Sequence, residues 1–274
     1  MSYIVKYNFT NDLMFKASLE RCPKGAIRLI KEFVSDLKDI DINEDVTFLN
    51  KENISGVDIS TTIFDVNLQI ANNLIELEMQ NQSRKYNMAN RMLKYIADLI
   101  NSSYDKEKDY VHKPCYSVWF LGFKMYEDDS FIHEFEFYDE KRKVSLVNDT
   151  KIIVVEFVKF KKLDYNNNRW YNIFNTKDLS LLEGDDTVMN DLVDNIKSLN
   201  NDNEFVIKID ARERAEREYN ARMNADLEES MKQGIEQGKK ESKIEIAKKL
   251  KQMKMSTLEI VEATGLTKEE IESL

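Results

Sequence analysis

The chain has 274 residues, of which 42% are hydrophobic and 33% are charged, with only seven glycines and two prolines. So few Gly and Pro residues exclude collagen-like, linker-dominated and low-complexity chains, and they favour long regular elements. The 50 acidic residues outnumber the 40 basic ones, and the resulting net charge of -10 on average repels nucleic acid and anionic membranes. A protein of this composition that binds a polyanion therefore needs a local basic surface.

Cysteine and histidine content limits the metal and redox chemistry. Cys22 and Cys115 lie far apart in the chain, so neither a disulfide framework nor a CxxC metal clip is expected. His112 and His133 are too few for a His-rich zinc site, and we interpret them as ordinary polar residues at element edges.

There is neither an apolar run of about 18 residues nor a basic segment followed by an apolar one at the N-terminus. We therefore expect an unprocessed, soluble cytoplasmic protein without a membrane partner.

Residues 10 to 38 are predicted to be helical, because apolar side chains recur there at the helical period after Asp12, which can cap. Pro23 interrupts the pattern, so the segment forms two helices or one helix kinked at that point. Residues 38 to 56 are polar apart from a short apolar piece at 46 to 49, to which the pattern assigns no element.

From residue 61 the period becomes two, and residues 61 to 70 and 74 to 80 are predicted to form a β-hairpin. With the turn centred between Ala71 and Asn72, Val66 faces Leu77 and Asp65 faces Glu78. This register keeps the apolar side chains of both strands on one side, whereas a slip of one residue would mix the two faces.

The helical period returns at residues 84 to 104, and further strands are predicted at 115 to 123, 131 to 138 and 151 to 160. Residues 191 to 199 indicate another helix. This order of elements predicts an α/β fold with a mixed sheet flanked by helices, in a domain of residues 1–205.

The C-terminal part has a different composition, with twelve basic and nine acidic residues but no proline between positions 211 and 255. We expect one long charged helix over residues 206–255. Its apolar positions recur every four residues, a step that rotates about 40° around the axis, so a straight coiled-coil seam is not indicated. Residues 256–274 hold capping boxes that begin at Ser256 and Thr267, with Gly265 as a helix stop between them, and they predict a helical hairpin that buries Leu258.

The hairpin carries the most informative side chains. In the predicted register the Cβ atoms of Asp65 and Glu78 are about 5 Å apart, and two like charges there are unfavourable unless something lies between them. A shared proton or a divalent cation would relieve the repulsion. Two carboxylates, the carbonyl of Met79 and a substrate phosphate suit Mg²⁺ and phosphodiester hydrolysis. The alternative is two acidic residues on an ordinary solvent face of an antiparallel sheet. Glu76 shares the face with Glu78 and is predicted to be a rim residue.

The order Asp65, then Glu78-Met79-Gln80, then Arg91 and Tyr95 resembles the PD-(D/E)XK nuclease superfamily. It is more similar still to the Rpn family of recombination-promoting nucleases and transposases, whose pattern is an Asp, a hairpin, E-x-Q and R-x3-Y. The segments at 11–16, 153–159, 234–238 and 263–266 resemble that family's opening D-x2-F-K helix, late strand, repetitive tail and terminal hairpin. The resemblance covers nearly the whole chain.

The resemblance implies a restriction-endonuclease-like core, dependence on Mg²⁺ or on Mn²⁺ in its place, and DNA cleavage. Asp65 and Glu78 would be metal ligands, and Gln80 would occupy the position of the superfamily's usual Lys. Because Gln cannot carry charge, the general base stays open and activity is expected to be lower. The turn also lacks the family's frequent glycine, and we expect Asn72 and Asn73 to serve instead.

Further site residues follow from the same resemblance. Arg91 and Tyr95 are one helical turn apart, so Arg91 is expected to contact a phosphate with Tyr95 supporting it, the alternative being an exposed Arg packed over Tyr. Asp12 and Lys16 could add an acid and a counter-charge, although an N-cap and a solvated Lys explain them equally.

Two basic groups are predicted to rim a DNA-binding cleft, and binding through them should weaken steeply with salt. The first group is Arg84, Lys85, Arg91 and Lys94, and the second is Lys141, Arg142, Lys143, Lys159, Lys161 and Lys162. A charged surface with interspersed signs is the alternative for the second group.

Three hypotheses follow. The first is a metal-dependent DNA endonuclease linked to recombination or transposition, acting in the cytoplasm or at the nucleoid. The second is a weak or inactive protein that retains the nuclease fold and binds DNA or oligomerises, and the third is a helical adaptor with a globular scaffold. The C-terminal helices offer a surface for a homodimer.

Overall fold

The computed structural model describes residues 2–49, 65–81, 87–104, 111–162 and 168–274. The chain divides into two compact units, Met1–Val206 and Ile207–Leu274. The first unit contains a six-stranded mixed sheet between helices, and the second is helical. The predicted α/β fold class is therefore confirmed, whereas the three-part division of the chain stays a prediction.

Two helices, α1 (Asp12–Arg21) and α2 (Pro23–Phe33), open the first unit, and Pro23 occupies the first turn of α2, where its missing N–H costs nothing. The cap of α1 is Asn11, whose side chain accepts the N–H of Met14 at 3.1 Å. The prediction of Asp12 as the cap was wrong by one residue, since Asp12 is the first residue inside the helix. A short polar side chain at either position can cap, so the sequence alone did not separate them.

The main sheet has the strand order β1-β2-β3-β4-β8-β5, in which β3, β4 and β8 run parallel and the other neighbours pair antiparallel. A separate small hairpin is formed by β6 and β7. The strands are β1 (Val46–Phe48), β2 (Val66–Ile70), β3 (Asn73–Gln80), β4 (Cys115–Leu121), β5 (Ile132–Phe135), β6 (Tyr138–Asp139), β7 (Val144–Ser145) and β8 (Thr150–Glu156). The apolar piece that the pattern could not assign is thus the edge strand β1.

The register of the β2–β3 hairpin is the predicted one, with Val66 opposite Leu77 and Ile70 opposite Asn73. The turn differs in detail, because Ala71 adopts the left-handed conformation with φ of 50°. The expectation that Asn72 and Asn73 would take the place of a glycine there was wrong. Positive φ is uncommon for a residue with a Cβ, so the turn is held by the pairing of the two strands rather than by local preference.

Helices cover both faces of the sheet. On one face, α3 (Met88–Ser103) packs its apolar stripe against Trp119 and Val154. On the other face, Phe120 lies 5.7 Å from the ring of Phe15 on α1 and 5.4 Å from that of Phe33 on α2. Among the described residues, this unit also contains α4 (Arg169–Asn172) and α5 (Thr187–Asn201). The central strands are therefore buried on both sides, as their nearly continuous apolar sequence predicted.

A 50-residue helix, α6 (Asn203–Gln252), leads into α7 (Thr257–Thr264) and α8 (Lys268–Glu272). Both predicted capping boxes are present, and Gly265 ends α7 with φ of 66°. Ile260, Leu266 and Ile271 pack on Ala247 near the end of α6. Leu258 is 78% exposed, so its predicted place in this small core was wrong.

Large apolar side chains of α6 are exposed at four-residue intervals, namely Tyr219, Met223, Leu227, Met231 and Ile235. None of the helices in the described ranges combines the length and the apolar character that a membrane span requires.

Candidate functional site

The candidate site lies where the three parallel strands end. Gln80 on β3 is in register with Leu121 on β4, and Leu121 is in register with Glu156 on β8, so all three residues stand at the same edge. In open α/β sheets, ligands bind outside the carboxyl ends of the strands. The predicted motif on β3 therefore lies at the edge of the sheet where a ligand site is expected.

Asp65 directly precedes β2 and is hydrogen-bonded to Glu78 and Met79 of β3. The backbone N–H of Asp65 donates to Glu78 Oε1 at 2.7 Å, and the N–H of Met79 donates to Asp65 Oδ2 at 2.9 Å. Each carboxylate is thus fixed by a backbone donor of the opposite strand. We call this arrangement of Asp65, Glu78 and Met79 the carboxylate clamp.

The carbonyl of Met79 belongs to the same place. Within a strand, the N–H and C=O of one residue point to the same side. Since the N–H of Met79 points at Asp65, its carbonyl also points to that side of β3. Two carboxylates and one carbonyl are therefore directed to a common region.

Glu78 is 1% exposed, and burial together with the nearby Asp65 and Glu76 carboxylates raises its pKa well above the usual range for a glutamate. Desolvation and like charge both disfavour the ionised form, whereas an opposite charge between the carboxylates would favour it. This electrostatic arrangement is the one expected of a carboxylate pair that binds a cation.

Arg91 on α3 contributes a positive charge to this group. Its Nη2 lies 3.3 Å from Glu78 Oε2 and donates to the Tyr95 hydroxyl at 2.9 Å, and its Nη1 donates to Gln80 Oε1 at 2.8 Å. The guanidinium also lies over the Tyr95 and Trp119 rings, 4.9 and 5.2 Å from their centroids. Arg91 and Tyr95 do point at one place, as their spacing predicted, and Gln80 is part of the same network.

Glu76 departs from expectation. It shares the face of β3 with Glu78, but it is completely buried, and the prediction of a rim residue was wrong. The face is not open to solvent because α3 covers it. Burial raises the pKa of Glu76 well above the usual range, and the Ser117 side chain and the Arg91 charge offset only part of this increase.

The start of α1 lies beside the end of β3, because the Asn81 side-chain amide donates to the Thr10 carbonyl. Asp12 and Lys16 are half-buried on this helix, and Asp12 Oδ1 accepts the N–H of Leu13 at 2.8 Å. Their roles as a further acid and a counter-charge stay predictions.

The first basic group is only partly described. Arg84 and Lys85 lie outside the described residues. Lys94 is half exposed on α3 and forms an ion pair with Asp98 at 2.8 Å. Arg91 directs its terminal nitrogens to Gln80, Glu78 and Tyr95, and its contact with a phosphate stays a prediction.

The second basic group does not form one surface. Arg142 and Lys143 are exposed in the β6–β7 hairpin and pair with Asp139 and Glu140. Lys159 is 5% exposed and lies 2.5 Å from the buried Glu156 carboxylate, so the prediction that it rims a DNA cleft was wrong. The side chains of Lys161 and Lys162 lie outside the described part of the chain. Lys141 is exposed, which agrees both with a rim of a DNA-binding cleft and with an ordinary charged surface.

A buried polar cluster at the end of β8 was missed by the sequence analysis. Glu156 Oε2 lies 2.5 Å from Lys159 Nζ and 3.2 Å from His133 Nε2, and Lys159 also donates to the Ser130 carbonyl at 2.7 Å. The sequence signal for this cluster is an acidic residue, Glu156, at the end of an apolar strand, with Lys159 three residues later. We interpret the cluster as structural, because it ties the loop before β5 to the end of β8.

Comparison with known proteins decides the family. A family model described as "PD-(D/E)XK nuclease family transposase" matches residues 10–236, which is well over half of the chain. The chain belongs to this family. No match was found among curated proteins or among solved structures. Membership in the PD-(D/E)XK transposase family supports a role in nuclease or transposition chemistry.

Nucleases of the PD-(D/E)XK type use divalent metals, and the donor set of this member fits one. Mg²⁺ prefers oxygen ligands, binds through one or two carboxylates and retains several waters. Asp65, Glu78 and the Met79 carbonyl supply such a set, and burial together with the nearby Asp65 carboxylate raises the pKa of Glu78. The described residues contain no group of three or more His, Cys, Asp or Glu that could hold a metal. If an ion binds here, substrate and water oxygens would have to complete its coordination.

Proposed function

We propose that the protein is a Mg²⁺-dependent DNA endonuclease that hydrolyses phosphodiester bonds during recombination or transposition in the cytoplasm, at the nucleoid. The carboxylate clamp is the observation that carries this proposal. It fixes two acids to each other by backbone hydrogen bonds, keeps the buried Glu78 carboxylate close to that of Asp65, and lies where the parallel strands end.

Each residue of the site has a distinct part in this proposal. Asp65, Glu78 and the Met79 carbonyl would hold the ion, with Mn²⁺ able to replace Mg²⁺. Bound metal supplies charge neutralisation at the phosphate and lowers the pKa of a bound water. Arg91 holds Glu78 and Gln80 in place, and the Trp119 ring beneath Arg91 limits its movement.

The proposal is tested by nicking of supercoiled plasmid DNA with Mg²⁺, with Mn²⁺ and with chelator. We expect wild-type protein to nick only with metal, and Asp65→Asn and Glu78→Gln to lose nicking while retaining the fold. Glu140→Gln, which removes an exposed carboxylate from the β6–β7 hairpin, is the matched control and should cleave normally. Equal nicking by all four proteins would point to a contaminating nuclease and reject the proposal.

A second candidate is favoured by Gln80. An amide occupies the position of the superfamily's lysine, and its oxygen is bonded to Arg91, so residue 80 supplies neither a charge nor a titratable group for hydrolysis. In this version the protein binds DNA or oligomerises with little cleavage. DNA binding by wild type without nicking in either metal would favour it.

The exposed apolar residues of α6 support a homodimer through the C-terminal helices in either candidate. Sedimentation of wild type and of Leu227→Lys tests this. Dimers that dissociate in the variant would support pairing through α6, and a wild-type monomer at micromolar concentration would reject it.

A further inference from the structure

Both oxygens of the Glu78 carboxylate already have a hydrogen-bond donor. Glu78 Oε1 accepts the backbone N–H of Asp65 at 2.7 Å, and Glu78 Oε2 lies 3.3 Å from Arg91 Nη2. A backbone N–H and a guanidinium can only donate, so the carboxylate is the acceptor in both contacts. A divalent ion that binds Glu78 must therefore share an oxygen with one of these donors or displace it.

The contact with Arg91 is the longer of the two, but Arg91 has other partners that keep its charge in place. Its Nη1 donates to Gln80 Oε1 at 2.8 Å, and its Nη2 donates to the Tyr95 hydroxyl at 2.9 Å. The guanidinium also lies 4.9 and 5.2 Å from the centroids of the Tyr95 and Trp119 rings. Loss of the bond to Glu78 leaves these contacts intact, so the positive charge stays beside the carboxylate clamp.

The charges of the directly bonded groups do not balance for a metal ion alone. The ionised carboxylates of Asp65 and Glu78 carry two negative charges and Arg91 carries one positive charge, so the three groups together have a charge of -1. A divalent ion changes this total to +1, and the single negative charge of a phosphodiester returns it to zero. Without Arg91, the ion alone would give zero. Glu76, on the same face of β3, is the same in both cases and does not affect the comparison.

On the basis of the proposed nuclease function, we propose that Arg91 is the internal counter-ion of the carboxylate clamp and makes firm binding of the divalent ion depend on a bound DNA phosphodiester. The charge of Arg91 repels a metal ion at Glu78, whereas Arg91 and the metal ion both attract the phosphate. Metal and DNA then strengthen each other's binding equally, because the coupling free energy between two ligands is reciprocal. The consequence is a site that fills with metal together with its substrate.

Removal of the charge tests this inference with metal binding as the readout. Arg91→Met retains an apolar side chain over the two rings but carries no charge. In the absence of DNA, isothermal titration calorimetry should show Mg²⁺ binding about tenfold tighter than to wild type, the order of magnitude that repulsion between neighbouring single and double charges gives in water. Arg91→Lys keeps the charge and should bind Mg²⁺ as wild type does. Arg217→Met, at an exposed ion pair on α6, is the matched control for loss of an arginine and should also bind as wild type does.

The sign of the change separates a counter-ion from a group that only holds Glu78 in place. A purely orienting Arg91 would make Arg91→Met bind Mg²⁺ more weakly than wild type, and either this result or an unchanged affinity would overturn the inference. Melting in chelator shows whether Arg91→Met is folded.

Wild type alone decides the question if Arg91→Met does not fold. Its Mg²⁺ affinity should rise about tenfold when a short phosphorothioate duplex, which resists hydrolysis, is present. A titration of the duplex without protein corrects for metal bound by the DNA itself. An affinity that does not change with the duplex would overturn the inference.

These outcomes are distinguishable from those of the nicking assay. Tighter Mg²⁺ binding by Arg91→Met in a protein that does not nick plasmid DNA would reject the nuclease proposal and support the counter-ion role. Nicking by wild type together with unchanged or weaker Mg²⁺ binding by Arg91→Met would do the reverse. A wild-type protein that binds neither Mg²⁺ nor Mn²⁺, with or without DNA, would overturn both.

Discussion

Asp65 donates its backbone N–H to the Glu78 carboxylate across the end of the hairpin, at 2.7 Å. The two acids that we propose as metal ligands are therefore fixed to one another by hydrogen bonds within the protein. Preorganisation of this kind reduces the entropy lost on binding, but it also keeps two negative charges close together.

The first prediction concerns this repulsion. Asp65→Asn retains an oxygen that can accept the Met79 N–H while removing one of the two charges. The variant should melt slightly above wild type in chelator, and Mg²⁺ should raise the melting temperature of wild type only. Thermal melts of both proteins in both conditions measure this, and identical melting in all four samples would contradict it.

The second prediction concerns pH. Burial raises the pKa of Glu76, so the folded chain retains a proton that the unfolded chain releases near pH 4.3. Stability from this group is fully present below that pH and is lost as pH rises through the folded pKa. Glu76→Gln should therefore gain stability relative to wild type as pH increases from about 5 to 8 in chelator. Urea denaturation across that range measures it, and a constant difference would argue against a neutral buried Glu76.

The register of the hairpin was predictable from the sequence, whereas the burial of Glu76 was not. Alternation of apolar residues fixes the register of two strands, because a slip reverses every side chain, and the predicted pairing of Val66 with Leu77 is confirmed. Alternation does not reveal what covers the polar side. Glu76 is buried by α3, and that packing depends on contacts distant in sequence.

Lys159 is a second residue whose burial the sequence pattern does not reveal. A lysine close to other basic residues was interpreted as part of an exposed patch, yet the turn after β8 directs it inward to Glu156. By contrast, both capping boxes of the C-terminal hairpin were predictable, since their hydrogen bonds involve residues three positions apart.

The third prediction follows from that buried pair. Lys159→Met removes the cation 2.5 Å from Glu156 and leaves a buried carboxylate with only His133 and backbone donors nearby. The free energy of unfolding should decrease by about 3 kcal/mol. Lys249→Met, at the exposed pair with Glu245 on α6, is the control and should show no measurable change. Chemical denaturation of both variants tests this, and equal effects would show that burial is not the cause.

The fourth prediction concerns the contact between the ends of β3 and β4. A Cβ on Gly122 would lie 2.9 Å from Asn81 Oδ1 and 3.0 Å from Phe157 Cζ. Gly122→Ala should destabilise the fold by about 1–3 kcal/mol and lower the cleavage rate by displacing the end of β3. Gly234→Ala on α6 meets no atom within 4 Å and should instead stabilise its helix slightly. Opposite signs of the two stability changes are expected, and stabilisation by Gly122→Ala would show that the strand ends have room to move apart.

The carboxylate of Glu78 receives one bond from Asp65, ahead of β2, and another from Arg91, on α3. Its orientation is complete only when the hairpin and the following helix have both docked. A nascent copy emerging from the ribosome, or one partly unfolded by stress, would lack at least one of these restraints. Under the proposed function, only the fully folded domain has both restraints on the Glu78 carboxylate and hence a complete site.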